Sequence, residues 1–152
     1  MKNCNEIGYK HFLLPPSKEL MKGKELNLKA YTYQQAMAYK VELSETKFRN
    51  NKSEIVLQNK YLGLNARITD AVFEKIMKNS KGIENIDKTF EQPHEVWGVW
   101  ENAKQQTKAI FNFITFGGNG AYIVQLSDGY IINAYALTNA KLIDSHRKGC
   151  LL

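Results

Sequence analysis

Between residues 109 and 137 the chain alternates apolar and polar side chains in three runs, AIFNFITF, AYIVQL and YIINAYAL. The runs are broken by GGNG (117–120) and by Ser127-Asp128-Gly129. Period-two alternation interrupted by short glycine-bearing breaks describes antiparallel strands joined by hairpins. No other feature constrains the fold as much, because a turn sets the register and the register decides which side chains share a face. With GGNG as a loop, Phe116 opposes Ala121, Ile114 opposes Ile123 and Asn112 opposes Gln125. With Ser127-Asp128-Gly129 as a three-residue turn, Leu126 opposes Tyr130, Val124 opposes Ile132 and Ile123 opposes Asn133. One face then holds Phe111, Phe113, Tyr122, Val124, Leu126, Tyr130 and Ile132, which is a core. The other holds Asn112, Gln125, Asn133 and Tyr135 among Ile114, Ile123 and Ile131. Such a face is either the wet side of an antiparallel sheet or the floor of a cleft. In a cleft, uncharged amides contact a ligand and the tyrosine gives a nucleobase something flat to stack on.

Upstream, Pro15-Pro16 and a scatter of lysines predict an irregular N-terminal arm over residues 1–30. Thr32 with Gln35 three residues on makes a capping box for a helix to about Leu43, with Tyr33, Ala36, Met37 and Val41 as its inward stripe. Ile55-Val56-Leu57 reads as a short strand or a helical turn. Thr69 caps a helix to Lys78 with Val72, Phe73, Ile76 and Met77 inward. Residues 79–92 read as a polar connection. Pro93 at a first-turn position and Glu95 behind it predict a helix to about Lys108, burying Val96, Trp97 and Trp100 against the meander. The expected fold class is therefore α+β: N-terminal helices plus a C-terminal helix packed on a small antiparallel sheet. The expected organisation is an arm (1–30), a basic helical region (31–90) and a C-terminal core (91–152) in one compact domain.

A chain of 152 residues can bury enough surface to need no staple. It has no run of about 18 apolar residues, and its first twenty residues lack a signal core, so the expected location is the cytoplasm, with no membrane partner. Cys4 and Cys150, near opposite ends, could meet in space because chain termini often lie close together, but they are expected to be two unrelated reduced thiols. Two cysteines and three scattered histidines offer no metal-ligand spacing, and neither a metal nor a cofactor is expected. Net charge is +6, and 18 of the 21 basic residues are lysines. The excess lies in the first ninety residues, with 16 basic against 10 acidic, while residues 91–152 carry five of each. Lysines attract phosphates as point charges without bidentate reading, which suits sequence-blind contact with a nucleic-acid backbone and equally a solubilising surface.

The side chains available match what metal-independent RNA cleavage requires. A 2′-hydroxyl must lose a proton, a 5′-oxygen must gain one, and charge on phosphorus must be held. Tyr135, His146 and Arg147 are the candidates for the chemistry, with Asn133 and Thr138 in support. Asn112, Gln125, Lys104, Lys108, Lys148, His94 and Glu95 are the candidates for substrate contact. Local explanations stand beside these: a basic turn for His146-Arg147-Lys148, helix capping for His94-Glu95, a solvated helix face for Lys104 and Lys108, and turn formation for Thr138.

In order along the chain stand Pro93-His94-Glu95-Val96-Trp97, Gly129-Tyr130-Ile131-Ile132-Asn133-Ala134-Tyr135 and Arg147-Lys148-Gly149-Cys150-Leu151-Leu152. This succession resembles the phage-associated branch of the barnase/EndoU/colicin-nuclease/RelE-like (BECR) nucleases over about the last sixty of 152 residues. The resemblance implies a helix on an antiparallel sheet, a metal-free cleft that cleaves RNA, tRNA included, and a phage- or toxin-associated setting. It also implies an antitoxin, immunity or phage structural protein as partner. Asn133 departs from the pattern, which often has threonine before Ala-Tyr. Two other classes remain open from sequence: a non-catalytic nucleic-acid-binding or phage accessory protein of the same fold, and a protein-interaction module.

Overall fold

The computed structural model describes residues 15–152 apart from 25, 27, 48–53, 80, 104, 105 and 119, and at 46, 100–103 and 106–108 it describes the backbone alone. Local capping signals are honoured. Pro16 precedes a single turn, α1 (Ser17–Leu20). Thr32 caps α2 (Tyr33–Thr46), and its reciprocal bonds with Gln35 complete the capping box. Thr69 caps α3 (Asp70–Met77). The connection expected at 79–92 contains a further helix, α4 (Asn85–Glu91), which buries Ile86 and Phe90. Seven residues with only two large apolar side chains fall short of the periodicity that identifies a helix.

Seven strands make one mixed, curled sheet: β1 (Ile55–Asn59), β2 (Leu64–Ile68), β3 (Glu95–Ala103), β4 (Gln106–Gly117), β5 (Gly120–Ser127), β6 (Tyr130–Leu137) and β7 (Cys150–Leu151). Their spatial order is β1-β2-β6-β5-β4-β3-β7. Among the described residues only β2 against β6 is parallel; the other neighbours are antiparallel.

This architecture corrects the expected fold class. The segment predicted as a helix from Pro93 to Lys108 holds strand β3 and the start of β4, paired residue by residue from Glu95↔Ile114 to Ala103↔Gln106. Val-Trp-Gly-Val-Trp is rich in β-branched and aromatic residues and carries a helix-weakening glycine. With β4 available as a partner on one side and β7 on the other, the extended form wins. Proline before the element is compatible with either outcome. Among the described residues no helix begins at Pro93 to cover a small sheet; the sheet dominates and the helices are few and short.

The first hairpin has the expected register, with Phe116↔Ala121, Ile114↔Ile123 and Asn112↔Gln125. The second does not. Ser127 pairs with Tyr130, so Asp128-Gly129 is a two-residue turn, with φ of 53° and 79°. Two successive positive φ values define the turn whose twist matches a hairpin, and Asp-Gly is a favoured pair for it. Leu126 then pairs with Ile131 and Gln125 with Asn133, leaving Ile132 as the extra residue of a bulge.

The sheet is buried on both faces. On the first lie Phe113, Tyr122, Val124, Leu126, Ile131 and Ala134, covered by Leu43, Phe73, Ile76, Ile86 and Phe90 from the helices. On the second lie Trp97, Ile114, Phe116, Ala121 and Ile123, packed with Leu20 of α1 and with Ile143 of α5 (Ala140–Ser145). Each large side chain removed from water in this way contributes about 1.5–3 kcal/mol. Trp97 therefore lies within the sheet, on the face opposite the Phe113 core it was expected to cover. Ile131 belongs to the first core, and Tyr130 lies on the second face rather than the first. Of the stripe expected on α2, Ala36 is buried but Tyr33 and Val41 are exposed; Leu43 fills the inward position instead.

Tyr122 is fully buried in the first core, and its hydroxyl has no hydrogen-bond partner among the described residues. A buried donor without a partner costs roughly 1–3 kcal/mol. Tyr122→Phe is expected to raise unfolding stability by about 1 kcal/mol in urea titration. A loss of similar size would mean that the hydroxyl is satisfied in solution.

Candidate functional site

A row of side chains crosses the second face: Trp97 on β3, Asn112 on β4, Gln125 on β5 and Asn133 on β6. The next row is Glu95, Ile114, Ile123 and Tyr135. The four polar residues expected on one face, Asn112, Gln125, Asn133 and Tyr135, do share it. They share it with Trp97 rather than facing away from it. Gln125 donates from Nε2 to Asn112 Oδ1 at 3.0 Å, and Asn112 donates from Nδ2 to the His146 carbonyl at 3.4 Å. Asn133 Oδ1 accepts from the Ala134 amide at 3.0 Å.

Tyr135 and His146 meet. The Tyr135 hydroxyl is hydrogen-bonded to His146 Nε2, with the rings 5.6 Å apart at 64°. The approach is produced by α5. Asn139 Oδ1 caps that helix by accepting from the amides of Lys141 and Leu142. One and a half turns later the chain ends the helix at His146 and brings its ring over β6. His146 Nδ1 lies 2.8 Å from the Leu142 carbonyl, an acceptor only. Nδ1 must therefore carry the proton, and in the neutral ring Nε2 is the lone-pair nitrogen that accepts from Tyr135. Burial pushes the Tyr135 phenol above its ordinary value, so it stays protonated across neutral pH. Both residues are half-buried, and the pair is a coupled acid and base with solvent access.

Arg147, next in sequence, turns into the interior and is 1% exposed. It donates from Nε and Nη2 to the two Glu95 carboxylate oxygens at 2.8 and 3.1 Å, and from Nη1 to Asp144 Oδ1 and the Pro15 carbonyl at 2.9 Å each. Glu95 also accepts from Trp97 Nε1 at 2.9 Å, and Asp144 from the Ser17 hydroxyl and amide. Burial opposes the charge on Arg147, but the hydrogen bonds from Glu95 and Asp144 outweigh it and its pKa is raised. Burial likewise opposes the Asp144 charge, and the bonds from Ser17 and Arg147 carry its pKa below the ordinary carboxylate value.

The remaining candidates are dispersed. His94 and Glu95 precede and begin a strand, so the expectation of a helix start there is corrected. His94 Nδ1 accepts from the Phe116 amide at 2.8 Å. Burial first, then Lys24 and Lys88, lower its pKa, with Glu95 opposing. His94 and Glu95 line a cleft of about 320 Å³ with Asn59, Tyr61, Gln92, Pro93 and Leu152, to which neither Tyr135 nor His146 contributes. Lys148 and Thr138 are exposed. Lys108 lies in strand β4, not on a helix, with only its backbone described; Lys104 and Cys4 lie outside the described residues. Cys150 is buried and disulfide-bonded, which corrects the expectation of a reduced thiol there. Arg67 was not singled out from sequence. It stacks over Tyr130 on this same face with its charge centre 4.2 Å from the ring centroid. No sequence signal placed β2 beside β6, so none placed Arg67 here. Among the described residues no helix is long and apolar enough to cross a membrane.

No family model, no curated protein and no solved structure matches this chain.

Two expectations follow from these contacts. Removing one partner of a buried ion pair strands the other charge, so Glu95→Ala should destabilise the fold by roughly 3 kcal/mol. In the same denaturant titration Lys148→Ala should stay within about 0.5 kcal/mol of the parent. Equal effects would remove the distinction drawn between these positions. His94 has a folded-state pKa below its ordinary value of 6.5, so the folded form resists protonation. Its contribution is present above pH 6.5 and is lost as pH falls through the lower folded value. Tm should therefore fall on acidification from neutral pH, and His94→Gln should flatten that part of the profile relative to the parent; parallel profiles would refute the assignment.

Proposed function

We propose that this chain is a metal-independent endoribonuclease that cleaves RNA by attack of a 2′-hydroxyl on the adjacent phosphodiester. The observation that carries the reading is the Tyr135–His146 hydrogen bond, with the histidine tautomer set by the Leu142 carbonyl. When RNA binds, the Tyr135–His146 hydrogen bond opens, and His146 Nε2 takes the 2′-hydroxyl proton as the 2′-oxygen bonds to phosphorus. Tyr135, a phenol at neutral pH, gives its proton to the departing 5′-oxygen as that bond breaks. After the products leave, the hydrogen bond re-forms and the phenolate recovers a proton from His146 Nε2. Both groups return to their starting state, and the products are a 2′,3′-cyclic phosphate and a 5′-hydroxyl. The amides of Gln125 and Asn133 and the exposed Lys148 are the groups available to hold charge developing on phosphorus. Arg147 acts as a positioning residue. Its bonds to Glu95 and Asp144 hold the end of α5 against β3, and so hold His146 at Tyr135. The motif resemblance to the BECR nucleases supports the same reaction class, with Asn133 in the position the pattern often gives to threonine.

A second reading has one observation in its favour: Arg147, the arginine expected at the phosphate, is spent on Glu95. On that reading the face binds nucleic acid without cleaving it.

Incubation of the protein with RNA in EDTA separates the two. Cleavage leaving cyclic phosphate ends is expected, with His146→Ala and Tyr135→Phe each lowering the rate by about 10²–10⁴-fold while remaining folded. RNA left intact by folded parent protein in large excess would sink the ribonuclease reading.

A further inference from the structure

Arg67 and Tyr130 meet across the one parallel junction of the sheet, with Arg67↔Tyr130 in register. The guanidinium lies 4.2 Å from the centroid of the Tyr130 ring. Ala66 and Ile68 on either side point into the first core, so Arg67 stands on the second face. Among the described residues its guanidinium has no hydrogen bond and no ion pair, in contrast to Arg147. Its space is reserved by the neighbouring turn. A Cβ at Gly129 would lie 2.8 Å from Arg67 Nη2, and φ of +79° there also demands glycine. The carboxylates nearby are Glu54, whose Oε1 accepts from the Tyr130 hydroxyl at 3.4 Å, and Asp128 of the exposed turn.

The bulge decides which way this arginine faces. Tyr130 and Tyr135 are an odd number of residues apart, and strict alternation would place them on opposite faces. The extra residue Ile132 resets the alternation, so that Tyr130 joins Ser127 on the face where Asn133 joins Gln125 and Tyr135 joins Ile123. One face thus presents, in line along β6, Arg67 stacked on Tyr130, the amides of Asn133 and Gln125, and the Tyr135–His146 pair. The two ends are roughly 15 Å apart at the rise of an extended strand, a span of a few nucleotides.

We infer that Arg67, held flat on Tyr130, binds a backbone phosphate of the RNA strand a few nucleotides from the one positioned at Tyr135 and His146. The inference rests on the ribonuclease reading for its ligand and deepens it into an extended subsite. A stacked guanidinium loses little freedom on binding and offers a fork of N–H donors to a phosphate. A lysine there would keep the charge and lose both the stack and the fork.

The test uses a 2′-O-methyl RNA octamer, which cannot be cleaved, and a cleavable dinucleotide. Arg67→Ala, with Tm close to the parent's, is expected to weaken octamer binding in fluorescence anisotropy by about tenfold. It should also reduce the salt dependence of log affinity by about 0.7, the value for one phosphate contact on a single strand. Arg67→Lys should fall between the two in affinity and keep the parent's salt slope. Dinucleotide cleavage should be unchanged, because its single phosphate sits at Tyr135–His146. Unchanged octamer affinity and slope in Arg67→Ala, or no octamer binding by the parent, would overturn the inference. So would an equal loss on dinucleotide and octamer, which would mark Arg67 as structural. If the parent binds the octamer through Arg67 but cleaves nothing, the subsite stands and the ribonuclease reading alone falls.

Discussion

A single buried guanidinium organises the second face of this sheet. Arg147 reaches Asp144 at the end of α5, Glu95 at the start of β3, 52 residues away, and the Pro15 carbonyl ahead of α1, 132 residues away. A charge so placed is stabilising only while every partner is present, since desolvation otherwise exceeds the attraction. Its value lies in specificity: few arrangements of α1, α5 and β3 allow all four of these hydrogen bonds at once. Trp97 and Ser17 extend the network at either end. With α5 seated, His146 has little choice but to lie over β6.

That arrangement gives neighbouring residues opposite duties. His146 keeps solvent access and a basic nitrogen aimed at Tyr135, while Arg147 is consumed by the fold. Side chains with similar chemistry at adjacent positions are separated because the helix ends between them. The same division appears among the arginines. Arg147 is buried and held by four hydrogen bonds, and Arg67 is supported from below by an aromatic ring with its donors unspent among the described residues. Binding capacity follows from what the fold leaves unsatisfied.

Much of the site was legible in advance, and the reason is specific. Asn112, Gln125, Asn133 and Tyr135 were assigned to one face because they sit at even spacings or across a glycine turn whose register was correct. The second hairpin was expected one residue longer, and the bulge that follows went unseen. The two departures offset each other for Asn133 and Tyr135, which kept their face, but not for Tyr130 and Ile131, which exchanged faces. A bulge has no composition of its own; it is chosen by which register buries Ile131 and Ala134 together.

The helix caps at Thr32 and Thr69 were written in the sequence because each joins a side chain to an amide three residues away. The alternating meander was written there too, since hairpins close over short loops. Whether Val96-Trp97-Gly98-Val99-Trp100 became helix or strand was not, because the deciding hydrogen bonds come from β4 and β7. The meeting of Arg67 with Tyr130, and the burial of Arg147, belong to the same class. They depend on strand neighbours and charge partners distant along the chain, and only the assembled sheet brings these together.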